Sequence, residues 1–247
     1  MDKLWVIEHF SENNGLHHLA DVVRSNGQKL KFIDLTKGDE FTYPKQKDNI
    51  IFFGSQEMGA SLIDKGFTGD IHVGDDKFFA ENIQGCPYAL NQGIKTTLKD
   101  LSSDLDNILA KGDIFIRPNS YIKYFSGQVI SKDNRDKAWD NITFYLDNLD
   151  IDIIYSPIKV ILEEYRCLLI NNKLISACRY ENSKGVEEVC IQEFEKFISQ
   201  FKTYWPGAFA TIDLAKTNEG LKLIEFNPLS TSAIYKNNPQ KIFKAFS

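Results

Sequence analysis

Hydrophobic and polar positions follow two different periods along this chain. Near its start the short apolar runs Leu4-Trp5-Val6-Ile7, Leu30-Lys31-Phe32-Ile33 and Asn49-Ile50-Ile51-Phe52-Phe53 flank a helically spaced stretch from His17 to Ser25. Strand signals alternating with helical ones predict a small α/β layer. Further on, Leu98, Leu101, Leu105, Ile108 and Leu109 share one stripe of a helix over Asp100 to Lys111, and Gly112 follows as its C-terminal cap. A boundary is expected there, with residues 1–112 as an α/β domain and residues 113–247 as a second domain.

Past that boundary come a strand ending in Arg117-Pro118, a polar loop, and the strand Gln128 to Ser131. A helix is then expected on the spacing of Ala138, Trp139, Ile142, Tyr145, Leu146 and Leu149, followed by a strand over Ile151 to Tyr155. Val160 to Ile170 and Lys173 to Tyr180 are strand-like runs joined by Asn171-Asn172, a pair suited to a tight primed turn. Pairing Ile170 with Lys173 puts Glu164 opposite Arg179 and Arg166 opposite Ala177. Glu164 and Arg179 then form a cross-strand ion pair, and Arg166 has no carboxylate directly opposite it. A helix with Cys190, Phe194, Phe197, Ile198 and Phe201 on one face comes next. The second half is therefore mostly antiparallel sheet with two helices, an α+β pattern.

The last hairpin joins Phe209–Ala215 to Leu221–Asn227 through Thr217-Asn218-Glu219-Gly220, where Gly220 suits the left-handed conformation. If Thr217 pairs with Leu221, Asp213 lies opposite Glu225 and Asn227 shares their face, while Ile212, Leu214, Ile224 and Phe226 form the apolar face. Two like charges directly opposed in a sheet repel, and a cation between them removes the penalty. Magnesium, held by one or two carboxylates plus substrate phosphates, suits such a set. A solvated acidic hairpin face accounts for these strands equally well. Likewise Arg166 suits an anion, or a wet sheet face. The loop Asn119 to Gln128 offers Lys123 and Gly127 beside Arg117, an arrangement fitted to close over a polyanion, or an ordinary hairpin with solvated charges.

Composition narrows the classes. The chain has 247 residues, 43% hydrophobic and 26% charged, with a formal net charge of −5 and no long basic run, so nucleic acid is not the expected partner. No apolar stretch is long enough to span a membrane, and the start, Met1-Asp2-Lys3-Leu4, is too acidic for a signal peptide, so a cytoplasmic protein is expected. Cys86, Cys167, Cys178 and Cys190 lack metal-site spacing and are expected to be buried thiols. His9, His17, His18 and His72 all fall in the first domain and are expected to pack or face solvent, with His17-His18 weak candidates for touching substrate.

In order, Phe115-Ile116-Arg117-Pro118, the Lys123 to Gly127 loop, Tyr155-Ser156-Pro157-Ile158, Glu164-Tyr165-Arg166, Arg179, Asp213 and Glu225-Phe226-Asn227-Pro228 resemble an ATP-grasp domain over about the last half of the chain. The resemblance implies an α+β fold with antiparallel sheets in two lobes, about 113–158 and 159–247, holding ATP between them, preceded by a Rossmann-like α/β domain that helps build the acceptor site. It implies magnesium on Asp213, Glu225 and Asn227, phosphate contacts from Arg117, Lys123, Ser126 and Gly127, and an adenine hinge over Ser156, Ile158 and Lys159. Glu164 counts with the nucleotide-binding residues, and Arg166 and Arg179 would orient the γ-phosphate and an acyl phosphate. Arg117 stands where lysine is usual, as in a clade of phages and bacteria predicted to ligate amino acids or peptides. The implied activity is ATP-dependent joining of a carboxylate to an amine, on an amino acid, peptide or protein. A non-catalytic nucleotide-binding module remains as an alternative. A metal-dependent nuclease ranks lower, because Asn227 stands where such a site carries lysine.

Overall fold

The computed structural model describes residues 3–11, 13–120, 124–144 and 146–247. Strands β1 (Leu4–His9), β2 (Lys29–Asp34), β3 (Ile50–Phe53) and β4 (Gly69–Asp70), with helices α1 (Leu16–Ser25) and α2 (Gln56–Asp64), build a parallel sheet in the order β2-β1-β3-β4. Side-chain alternation sends β1 to two cores. Trp5 and Ile7 join α1, while Leu4 and Val6 join Leu62 of α2. The α/β alternation expected from the sequence is therefore present as a parallel sheet.

The antiparallel part contains β5 (Ile94–Thr97), α3 (Leu98–Lys111), β6 (Ile114–Pro118), β7 (Gln128–Ile130), α4 (Arg135–Thr143) and β8 (Asp152–Pro157), with the strands ordered β5-β8-β6-β7. Thr97 caps α3 by accepting from the Asp100 amide, and Gly112 ends it. Leu98, Leu101, Leu105 and Leu109 of α3 share a core with Ile114, Ile116, Ile130 and Ile153, so the expected division at residue 112 falls between elements of one layer. Helix α4 ends at Thr143. Leu146 and Leu149 reach that core from the following loop instead, and Tyr145 lies outside the described residues.

The second antiparallel sheet holds β9 (Glu163–Ile170), β10 (Lys173–Glu181), β11 (Lys184–Val189), β12 (Ala210–Thr217) and β13 (Gly220–Asn227), in the order β11-β10-β9-β12-β13. Helix α5 (Gln192–Ile198) covers one face through Phe194 and Ile198. Phe201 follows in a 3-10 segment, and Cys190 lies before the helix and is exposed, against expectation. Cys86, Cys167 and Cys178 are buried free thiols, as expected. Helix α6 (Pro239–Phe246), capped by Asn238, packs Ile242, Phe243 and Phe246 against Trp5 and Phe53 of the parallel sheet, with Leu168 and Ile170 of β9 in the same core. No helix among the described residues is long and apolar enough to cross a membrane.

Three registers position the site. Asn171 and Asn172 both have positive φ, 52° and 60°, and form the primed turn expected of them. A bulge between Leu174 and Ser176 then shifts β10 by one residue, so Arg179 faces Tyr165, Tyr180 faces Glu164, and Cys178 faces Arg166. In the last hairpin Thr217 pairs with Gly220 rather than Leu221, but a second bulge after Leu223 restores Asp213 opposite Glu225. Because of that bulge Leu223 joins the core and Ile224 turns to the cavity side, the reverse of the expected placing of Ile224.

Candidate functional site

Between the two antiparallel sheets lies a cavity of about 840 Å³. Of the residues expected at a site, Arg117, Ser126, Gly127, Ile158, Lys159, Glu164, Arg166, Asp213 and Glu225 line it. Asn227 adjoins it through hydrogen bonds to Asp213 and Glu225. Ser156 is buried in β8, with its hydroxyl turned to Asn91 at 3.4 Å, and Lys123 lies outside the described residues. Arg179 is not a lining residue. The shifted register turns it to the far face of its sheet, where it pairs with Glu181 and Glu187 instead of Glu164.

The carboxylates sit where two sheets of charge meet. Arg166 is not free of a facing carboxylate, because β9 has β12 as its second neighbour and Asp213 lies directly across from it. Its Nε donates to Asp213 Oδ1 at 2.8 Å and one terminal nitrogen donates to Oδ2 at 2.7 Å. The other terminal nitrogen donates to the Ala233 carbonyl at 2.9 Å. Tyr180 and Tyr235, stacked with centroids 5.1 Å apart, offer their faces to this guanidinium at 5.6 and 4.8 Å. Burial opposes the Arg166 charge, but Asp213 outweighs it and moves the pKa upward.

Glu225 is paired with Arg117, which comes from β6 on the opposite sheet and also donates to the Ile224 carbonyl at 3.4 Å. Asn227 joins the two acids, its Nδ2 donating to Asp213 Oδ2 at 3.1 Å and to Glu225 Oε1 at 3.0 Å. Oxygens of both acids thus converge on one amide, and turning that amide over would add its own oxygen. This is a hard-cation donor set, and the residues fit magnesium. Among the described residues no three His, Cys, Asp or Glu side chains form a metal cluster, so a metal here takes two acids and an amide. A third acid, Glu164, accepts from the Tyr180 hydroxyl. Burial first, then the charges of Asp213 and Glu225, raise its pKa despite that bond.

The linker from β8 to β9 crosses the cavity mouth with Ile158, Val160, Ile161 and Leu162 exposed, an apolar edge suited to a flat base. At Gly127 a Cβ would stand 2.5 Å from the Phe115 ring, so the glycine lets the loop lie against β6. The segment after β13 ties the parallel sheet to the site. The Gly54 amide donates to Ser230 O at 2.8 Å, the His72 amide to Ser230 Oγ at 2.9 Å, and the Ile234 and Tyr235 amides to Asn14 O at 2.8 and 3.0 Å. Gly15 is needed beneath this segment, because it has φ of 79° and a Cβ there would stand 2.2 Å from the Tyr235 carbonyl oxygen. Sequence reasoning missed Tyr180 and Tyr235. A one-residue slip in β10 would have found the first, and nothing in the loop around the second signals it.

Residues 72–246 match the model of an ATP-grasp domain family, the third family of its clade. No protein of curated function matches the sequence. Among solved structures, the fold is similar to D-cycloserine synthetase DcsG, with a TM-score of 0.64 at 10% identity, over 99% of this chain and 100% of that one. It is similar to D-alanyl-alanine synthetase A from Vibrio cholerae, with a TM-score of 0.63 at 10% identity, over 100% and 98%. The ATP-grasp ligase PsnB, complexed with a minimal precursor, gives 0.61 at 11% identity over 100% and 98%.

Proposed function

The chain belongs to the ATP-grasp domain family whose model it matches, and from that premise we propose that it is an ATP- and magnesium-dependent carboxylate–amine ligase. The observation that carries this reading is the opposition of Asp213 and Glu225, bridged by Asn227, on the wall of a cavity faced by Arg117. Structural relatives described as D-alanyl-alanine synthetase, D-cycloserine synthetase and a ligase bound to a precursor support a substrate in the class of amino acids or peptides.

In this reading a substrate carboxylate oxygen attacks the γ-phosphorus of ATP and ADP leaves. The amine then attacks the acyl carbon of the acyl phosphate, and phosphate departs as the amine gives up its proton. Magnesium on Glu225, Asp213 and Asn227 would draw charge from the transferred phosphoryl group. Arg117 would bind phosphate oxygens as a planar fork, with Ser126 and Gly127 beside it. Arg166 serves by fixing Asp213 and keeping positive charge on the cavity wall, where charge develops. Glu164 and the apolar linker around Ile158 and Lys159 would hold the ribose and base. The acceptor would enter beside Tyr235, where the segment after β13 meets the parallel sheet.

Thermal melting tests the binding half. Saturating ATP with magnesium should raise Tm by about 5–10 °C, since ligand at a hundred times Kd adds ~2.7 kcal/mol. An unmoved melting curve refutes the reading. With a pool of amino acids and peptides as acceptors, ADP should form, and Glu225→Ala should abolish it.

A further inference from the structure

The Arg117–Glu225 pair joins the two sheets that wall the cavity, and its side chains are 14% and 15% exposed. Arg117 belongs to β6 and Glu225 to β13, so the contact spans the cleft and sits where a metal would bind. The site is internally neutralised, with Arg117 on Glu225, Arg166 on Asp213, and the Asn227 amide donating to both acids. The two arginines are held very differently. Arg166 is clamped by Asp213, a carbonyl and two rings, whereas Arg117 is fixed to its own side of the cleft by its backbone alone, and its guanidinium reaches across to Glu225 and the Ile224 carbonyl.

We propose that Arg117 is a resident counter-ion for Glu225 that latches the two lobes together and must be exchanged for metal and phosphate when nucleotide binds. The inference rests on the magnesium–nucleotide reading above and adds the order of events. A Glu225 oxygen that accepts from a guanidinium cannot at the same time give that lone pair to a cation. Metal arriving alone therefore competes with Arg117 and leaves an unpaired guanidinium facing a low-dielectric cavity. Metal arriving with a polyphosphate takes Glu225 and supplies the released guanidinium with an anion. Arg117 consequently couples metal and nucleotide binding and keeps the empty site from trapping free divalent cation. The same exchange frees the linker around Lys159, since the cleft contact that restrains it is gone.

Calorimetric titration of the full chain with magnesium alone, without nucleotide, tests this. Arg117→Gln should tighten nucleotide-free magnesium binding by about tenfold, the scale on which groups beside a metal ligand tune affinity. Arg117→Lys, which keeps charge but loses the fork, should tighten it less. Nucleotide-free Arg117→Gln should also be cut by trypsin after Lys159 faster than the unaltered protein. Metal-alone affinity that is unchanged or weaker in both variants overturns the latch, as does unchanged cleavage in Arg117→Gln. A parallel titration of the unaltered protein with ADP and magnesium separates the two claims. Binding there with no gain in the variants refutes the latch only, and no binding there refutes the nucleotide reading beneath it.

Discussion

Replacing Arg166 by Met removes a charge from one of the most enclosed positions in the protein while keeping much of its volume. Arg166 and Asp213 have side-chain exposures of 8% and 2%, and the guanidinium meets both carboxylate oxygens, at 2.8 and 2.7 Å. In Arg166→Met the Asp213 carboxylate keeps the Asn227 amide at 3.1 Å but loses its counter-ion inside the sheet. Breaking a buried pair from one side costs about 3–5 kcal/mol, because the remaining charge is left uncompensated. For a chain of this size that is a fall in Tm of roughly 6–20 °C. The measurement is thermal melting in a chelating buffer, with the double variant Arg166→Met/Asp213→Asn alongside. The double variant should recover most of the loss, since no charge is left stranded, and excess magnesium should recover part of it in the single variant only. If Arg166→Met melts within about 1 kcal/mol of the unaltered protein, Asp213 does not depend on that guanidinium and the electrostatic account of the site is wrong.

The bulge in β13 makes a sharp contrast between neighbours: Leu223→Ala should lose about 2–5 kcal/mol in denaturant unfolding, whereas Ile224→Ala, at the cavity wall, should lose much less and weaken nucleotide binding instead. Glu164 has a folded-state pKa raised by burial and by neighbouring acids, so its protonated form is favoured in the fold. The stability linked to that proton is fully present below the ordinary value of 4.5 and is lost as pH rises through the raised one. Glu164→Gln should therefore melt at the same temperature as the parent at pH 4 and higher than it at pH 7, measured without metal. An equal difference at both pH values would show that the carboxyl is not displaced.

The parts of the site that depend on one hairpin could be read from the sequence. Asn171-Asn172 named its own turn, and the apposition of Asp213 and Glu225 emerged from alternation even though Thr217 pairs with Gly220, because the bulge after Leu223 cancels the shorter turn. Where a bulge had nothing to cancel it, the reading failed. The extra residue at Ile175 moved Arg179 away from Glu164 and put Tyr180 there. Arg166 was misjudged for a different reason: its true partner lies on β12, a strand distant in sequence, and no local pattern shows which strands become neighbours. Helix α6 was missed although Asn238-Pro239 is a cap followed by a proline at the first helical turn.

Helix α6 carries one further consequence, for the order in which the protein is made. It is the last element in the chain, yet Phe243 and Phe246 stack on Trp5 of the first strand, with ring centroids 5.7 and 5.8 Å away. During synthesis the parallel sheet emerges early, and the face bearing Trp5 and Phe53 stays uncovered until translation has passed residue 246. The two antiparallel sheets are complete before then. A ribosome-bound chain stalled short of α6 would display that aromatic face to chaperones, and its release would let the earliest and latest segments close together.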